Sequence, residues 1–200
     1  MKSKRIILIR HGESTANKNR ILTGRSDPDL TRNGYRQAKK ASQFIKNRYM
    51  PVDILYTSPL KRAFQTADII AGHVKTSLKK TELLIETDFG NWEGMDKNDL
   101  SLEPGWDRYI KDPFHFQFPG GESPQDVKKR VMAFKEKLHL DSGWNNAVIV
   151  SHYTPIAFFI LSILGNGSDN ASRFKIDNAA LSVIEKINDF EYIGMLNYVP

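Results

Sequence analysis

The sequence contains no cysteine. That absence excludes a disulfide framework, a thiol nucleophile, cysteine-ligated zinc and iron–sulfur clusters. It also suits a reducing compartment, so a cytoplasmic location is the expectation. Long apolar runs are missing too. The longest, from Ile156 to Leu164, is interrupted by Ser162 and falls far short of the ~20 residues that cross a bilayer. Near the start, Ile6 to Ile9 is flanked by Arg5 and Arg10, too short for the ~7–15 apolar residues of a signal peptide. No membrane partner is therefore expected. The glycosylation patterns beginning at Asn166 and Asn170 read as chance without a secretion signal. No long lysine and arginine block occurs, so the net charge of +6 suits attraction of small anions, and nucleic acid is not an expected partner. P-loop, dinucleotide, zinc-protease and serine-hydrolase motifs are absent. His11-Gly12-Glu13 mimics the H-x-E of zinc deaminases, whose chemistry needs cysteines that this chain lacks.

What is present is an ordinary globular composition, 40% hydrophobic and 26% charged, with 11 Phe, 7 Tyr and 3 Trp to build a core in 200 residues. That length corresponds to a single domain over residues 1–200. Strand and helix patterns alternate along it. Short apolar runs predict strands over residues 5–9, 53–57, 82–85, 147–151, 180–187 and 192–196. Thr31 predicts a helix N-cap, with Tyr35, Ala38, Ser42, Ile45 and Tyr49 at the spacing of one buried face. Ser58-Pro59 and Ser123-Pro124 each predict a cap followed by proline at the first helical position, opening helices to about Ala71 and Leu140. An apolar helix is predicted over residues 155–164. This alternation predicts an α/β fold, a mostly parallel central sheet with helices on both faces. Residues 91–121 break the pattern. They carry Trp92, Trp106, Tyr109, Phe114, Phe116 and Phe118 and end in Pro119-Gly120-Gly121, which predicts an irregular, lid-like insertion over one end of the sheet.

Ligands of α/β sheets bind beyond the carboxyl ends of the strands. There the sequence places Arg10 and His11 after the first strand, Arg62 after the second, Glu86 after the third and His152 after the 147–151 strand. Two arginines and a second histidine form a cationic cradle for a phosphate. Cationic neighbours keep His11 neutral and nucleophilic near pH 7, and Glu86 can serve as acid and base. Nothing in this set calls for a metal or an organic cofactor, and no carboxylate cluster for Mg²⁺ accompanies it.

At these residues the sequence resembles the histidine phosphatase superfamily, the family of phosphoglycerate mutase. The resemblance is carried by LIRHGESTAN (Leu8 to Asn17), Thr23-Gly24 with DLTRNG (Asp29 to Gly34), TSPLKRAFQTA (Thr57 to Ala67), IETDFGNWEG (Ile85 to Gly94), PGGES (Pro119 to Ser123), VSH (Val150 to His152) and NAALSVIE (Asn178 to Glu185). The resemblance implies that His11 carries the phosphoryl group, that Arg10, Arg62 and His152 form its pocket, and that Glu86 protonates the leaving oxygen. It further implies that Asn17, Thr23 and Gly24 touch substrate. Glu13 and Ser14 complete the loop. One departure stands out. The family often has glycine after the serine–histidine pair, where this chain has Tyr153, which is expected at the pocket edge.

The shortness of the chain and the PGGES segment resemble the phosphatase branch. The expected function is therefore metal-independent hydrolysis of a small phosphorylated metabolite through phosphohistidine. Phosphoglycerate mutase-type transfer and a non-catalytic phosphate-binding module are the alternatives. Within the family, sugar phosphates, α-ribazole phosphate, phosphoglycerates and fructose bisphosphate are all substrates, and the sequence does not choose among them.

Overall fold

The apolar run of the first strand is buried on both sides, and this sets the architecture. In the computed structural model, which describes residues 3–165, 174–188 and 190–200, that strand is β1 (Ser3–Arg10). After it come α1 (Thr15–Lys18), α2 (Arg32–Arg48), β2 (Ile54–Thr57), α3 (Lys61–Val74), β3 (Leu78–Lys80), α4 (Trp106–Lys111), α5 (Pro124–Leu140), β4 (Asn146–Ser151), α6 (Tyr153–Leu164), β5 (Leu181–Ile187) and β6 (Phe190–Tyr198). Both glycosylation patterns lie outside the described residues. Successive side chains of a strand point to opposite faces. Ile6 and Leu8 accordingly join Val131 and Phe134 of α5 and Phe158 of α6. Ile7 and Ile9 join Ala41 and Ile45 of α2 and Ala63 and Ala67 of α3. The sheet order is β3-β2-β4-β1-β5-β6. β3, β2, β4 and β1 run parallel, while β5 and β6 are antiparallel additions. The fold is thus α/β with a mixed, mostly parallel six-stranded sheet and helices on both faces.

Several local expectations change. Residues 82–85 do not form the third strand. Thr81 Oγ1 accepts from Leu83 N, and residues Glu82–Leu84 close a 3-10 turn. The strand beside β2 is β3, whose lysines are exposed and give no apolar signal. Glu86 therefore follows a turn beyond β3 and is not at a strand end. The Ser58-Pro59 pair does not open α3, which starts at Lys61. Ser58 N is still bonded to Val150 O as an extension of β2, and Asp27 Oδ1 reaches from a distant loop to accept from Lys61 N. On α2, Ala38, Ser42 and Ile45 are buried as expected, but Tyr35 is 40% exposed and Ala41 takes its share of the buried face. Ser123-Pro124 does cap and open α5. α6 begins two residues early, at Tyr153, and β6 is longer than expected at both ends.

The region around residues 91–121 is built from 3-10 turns (Gly90–Trp92 and Leu100–Leu102) and α4. Trp92, Leu100, Phe116 and Phe118 form its own small core. Gly90 adopts φ +55 with the Pro119 carbonyl packed where a Cβ would stand, so only glycine fits this crossing. α4 contains no buried residue.

Candidate active site

The site begins where β1 runs out of partners. His11 N still bonds Ser151 O at 3.0 Å, and Gly12 N then turns to Thr66 Oγ1 on α3 at 3.0 Å. This leaves the His11 ring facing the carboxyl edge of the sheet, 3% exposed. Its Nδ1 donates to Gly12 O at 2.7 Å. That bond fixes the tautomer, because a carbonyl can only accept. Nε2 therefore carries the lone pair, and Arg62 Nε donates to it at 3.2 Å. The rest of the Arg62 guanidinium is held by the Ser26 and Gly24 carbonyls, each at 2.8 Å. Arg10 NH1 donates to Ile176 O at 2.6 Å, while its buried Nε has no partner among the described residues.

His152 lies behind His11, with ring centroids 5.1 Å apart. Its Nε2 meets Ser58 Oγ at 2.8 Å, and its buried Nδ1 has no partner among the described residues. Ser58, read from sequence as a helix cap, instead ties β2 to this histidine. Both histidines are held well below their ordinary pKa. For each the largest cause is burial, followed by the charge of Arg62, with Arg10 contributing further. Buried groups resist charging, and cations nearby add to that. Both rings are neutral at pH 7. Burial also lowers the pKa of Arg10 and Arg62, and Glu86 is the leading charge that opposes this. A guanidinium nonetheless stays protonated.

Glu86 is 6% exposed, with Oε1 accepting from Thr87 N at 2.9 Å. Its backbone carbonyl accepts from Arg130 NH2, and Arg130 is paired with Glu122, which also accepts from Asp88 N. This network anchors the loop that carries Glu86. Asn17 Oδ1 accepts from Ser14 N and from Asn178 Nδ2, so its amide nitrogen is the end left to face the cavity.

A cavity of about 490 Å³ gathers Arg10, His11, Asn17, Thr23, Arg62, Glu86 and Tyr153 from the expected set. Ser14 lines it as well, whereas the Glu13 carboxylate turns away to accept from Thr31 Oγ1. Two expected residues stand back. His152 is fully buried behind His11. Gly24 does not line the cavity. Its N–H is taken by the Glu93 carboxylate, its carbonyl holds Arg62, and the Thr87 carbonyl occupies the space a Cβ would need. Gly24 therefore shapes Arg62 and has no free N–H for a substrate. Tyr153 sits at the pocket edge as expected, its ring 6.0 Å from the Arg10 guanidinium.

Lys97, Trp106, Tyr109 and Ile110 also line the cavity. Sequence reasoning missed Lys97 as a site residue, since a lone lysine in an irregular segment carries no signal. Burial, then Arg10 and Arg20, lowers its pKa. Asn178 opens a motif already recognised, yet its link to Asn17 depends on a contact between chain ends. Among the described residues no group of three or more His, Asp or Glu is arranged to hold a metal. No helix among them is long and apolar enough to cross a membrane.

Residues 6–197 match the histidine phosphatase superfamily (branch 1), and the chain belongs to that family. It is 36% identical over 183 residues to phosphoserine phosphatase 1 of Hydrogenobacter thermophilus, covering 90% of this chain and 85% of that one. It is also 34% identical to a 2,3-bisphosphoglycerate-dependent phosphoglycerate mutase of Bradyrhizobium diazoefficiens, over 80% of this chain and 81% of the other. Among solved structures it is similar to a phosphoserine phosphatase mutant from Entamoeba histolytica in complex with phosphoserine. There the TM-score is 0.85 at 28% identity, covering 98% of each chain.

Proposed function

We propose that this protein is a metal-independent phosphomonoesterase that acts on a small phosphorylated metabolite through phosphohistidine at His11. One observation carries the reading. The tautomer of His11 is fixed by Gly12 so that its Nε2 lone pair lies against Arg62, on the same cavity as Arg10 and Glu86. In the first step Nε2 attacks phosphorus and the P–O bond to the alcohol breaks. The Glu86 carboxyl gives its proton to the departing oxygen. In the second step Glu86, now a carboxylate, takes a proton from water. The resulting oxygen attacks phosphorus, the P–N bond breaks, and His11 returns with inorganic phosphate.

The cations supply what a metal otherwise would. Arg62 Nε and the Arg10 guanidinium are donors toward phosphate oxygens, which are stronger acceptors than an imidazole nitrogen. His152, held by Ser58, backs the His11 ring and positions it. Residues 91–121 we take as a cover over this site within one domain. Hydrolysis is favoured over mutase-type transfer by the phosphoserine phosphatases among the relatives. The mutase relative keeps transfer as the second reading. Release of inorganic phosphate from p-nitrophenyl phosphate in excess EDTA tests the proposal. Activity lost in EDTA and restored by Mg²⁺ or Zn²⁺ would end the metal-independent mechanism. Interconversion of phosphoglycerates without phosphate release would favour the transfer reading.

A further inference from the structure

From the cavity wall opposite in character to the cationic set, we infer that the preferred substrate is a phosphomonoester whose alcohol carries an apolar body of about ring size. This rests on the phosphomonoesterase reading and goes beyond it. A compact, polar alcohol could reach Asn17, Thr23 or Lys97 but would leave the apolar wall of the 490 Å³ cavity unfilled.

Apolar surface is left facing the cavity after the small core has formed. Trp92, Phe116 and Phe118 are buried against one another, and folding explains them. α4 is different. Its Trp106 and Tyr109 are only half-buried where they pack against that core, and its Ile110 is left exposed. All three line the cavity, together with Leu22 and Phe89 from two other segments. Ile110 is 58% exposed. Leu102, 81% exposed on the same region, does not line the cavity. A scattered exposed leucine needs no explanation. Apolar residues from three segments converging on one concave surface beside a fixed nucleophile do. Polar groups at such sites set orientation, and the apolar wall supplies the binding area. The cationic set takes the phosphate, leaving this wall, with Lys97 on the same cavity, to face the alcohol.

The experiment holds leaving-group chemistry constant. Ethyl, 2-phenylethyl and 2-(1-naphthyl)ethyl phosphates are all primary alkyl esters, so kcat/KM differences report binding of the alcohol. O-phosphoserine and 3-phosphoglycerate are run beside them. 2-Phenylethyl phosphate should exceed ethyl phosphate by at least about tenfold, which is about 1.4 kcal/mol, and should exceed both carboxylated esters. Ile110→Ser should drive the phenylethyl-to-ethyl ratio toward one. Leu102→Ser should leave that ratio at its wild-type value. Equal kcat/KM across the alkyl series, or a tenfold lead for phosphoserine or 3-phosphoglycerate, would overturn the inference while leaving the phosphomonoesterase reading intact. No phosphate release from any ester would overturn both.

Discussion

The two sides of the cavity are built by different rules. On the cationic side, each side chain is fixed by backbone carbonyls, His11 by its neighbour and the two arginines by distant segments. Gly12 holds His11, Gly24 and Ser26 hold Arg62, and Ile176 holds Arg10. On the aromatic side, α4 has no buried residue and its support comes from a small separate core around Trp92. Reaction geometry tolerates little displacement, so His11 and Arg62 sit at a strand end and on a helix packed against the sheet, and the Glu86 loop is anchored by Arg130 and Glu122. Recognition of an alcohol tolerates more, so it can sit on an irregular segment. Damage to one side should therefore leave a signature different from damage to the other.

The largest separation is expected at Glu86. An alkoxide leaves badly unprotonated, and a positioned general acid contributes ~10²–10⁴-fold. Glu86→Gln should lose a factor of that order in the phosphorylation step on an alkyl phosphate, and far less on p-nitrophenyl phosphate. Single-turnover kinetics on both esters checks this. Equal losses would make Glu86 a positioning residue.

On the other side, Trp92 is 1% exposed and its ring lies 5.1 Å from Phe116. Trp92→Ala should cost about 3–5 kcal/mol, concentrated in residues 90–121. Hydrogen exchange should rise there and stay slow in β1 and β4. Uniform loss of protection would mean that the two sides fold as one unit.

The pH dependence of stability tests the buried histidines. Their folded pKa values are depressed, so the unfolded chain protonates first as pH falls through about 6.5. The contribution of each neutral ring is complete above that pH and is lost toward the much lower folded value, at up to ~1.4 kcal/mol per pH unit for each histidine. Urea denaturation of the unliganded protein between pH 7 and 5 should show a steeper decline in the wild type than in His152→Asn. Parallel curves would show that His152 titrates normally in the folded state.

The smallest effect is expected at the pocket edge. Tyr153→Phe keeps the ring beside Arg10 and should change kcat/KM by no more than about threefold. Tyr153→Ala releases the guanidinium from a contact in the ~0.5–1 kcal/mol class and should raise KM a few-fold. A large loss in Tyr153→Phe would mean that the hydroxyl takes part in the reaction.

The contrast between the two sides also explains what the sequence made legible. β1, β2 and β4 are buried runs with clear ends, so His11, Arg62 and His152 could be placed from their positions after strands. Glu86 is legible but the element before it is not, because the apolar Leu83, Leu84 and Ile85 look like a strand while Thr81 caps a 3-10 turn over Glu82–Leu84. β3 was invisible because an edge strand bearing Lys79 and Lys80 has no buried face to announce. Gly24, expected to touch substrate, and Ser58, expected to cap a helix, both serve long-range contacts, with Arg62 and His152. Periodicity reports which face is buried. It does not report which distant atom a polar group will meet, and on the aromatic side there was no periodicity to use.

The central claim is that phosphorus passes through His11, and trapping the intermediate tests it most directly. Rapid alkaline quenching during turnover of a ³²P-labelled ester, followed by peptide mapping, should place the label on Nε2 of His11 and find none in His11→Ala. Label on His152, or turnover at the wild-type rate with no labelled histidine at any quench time, would contradict the account.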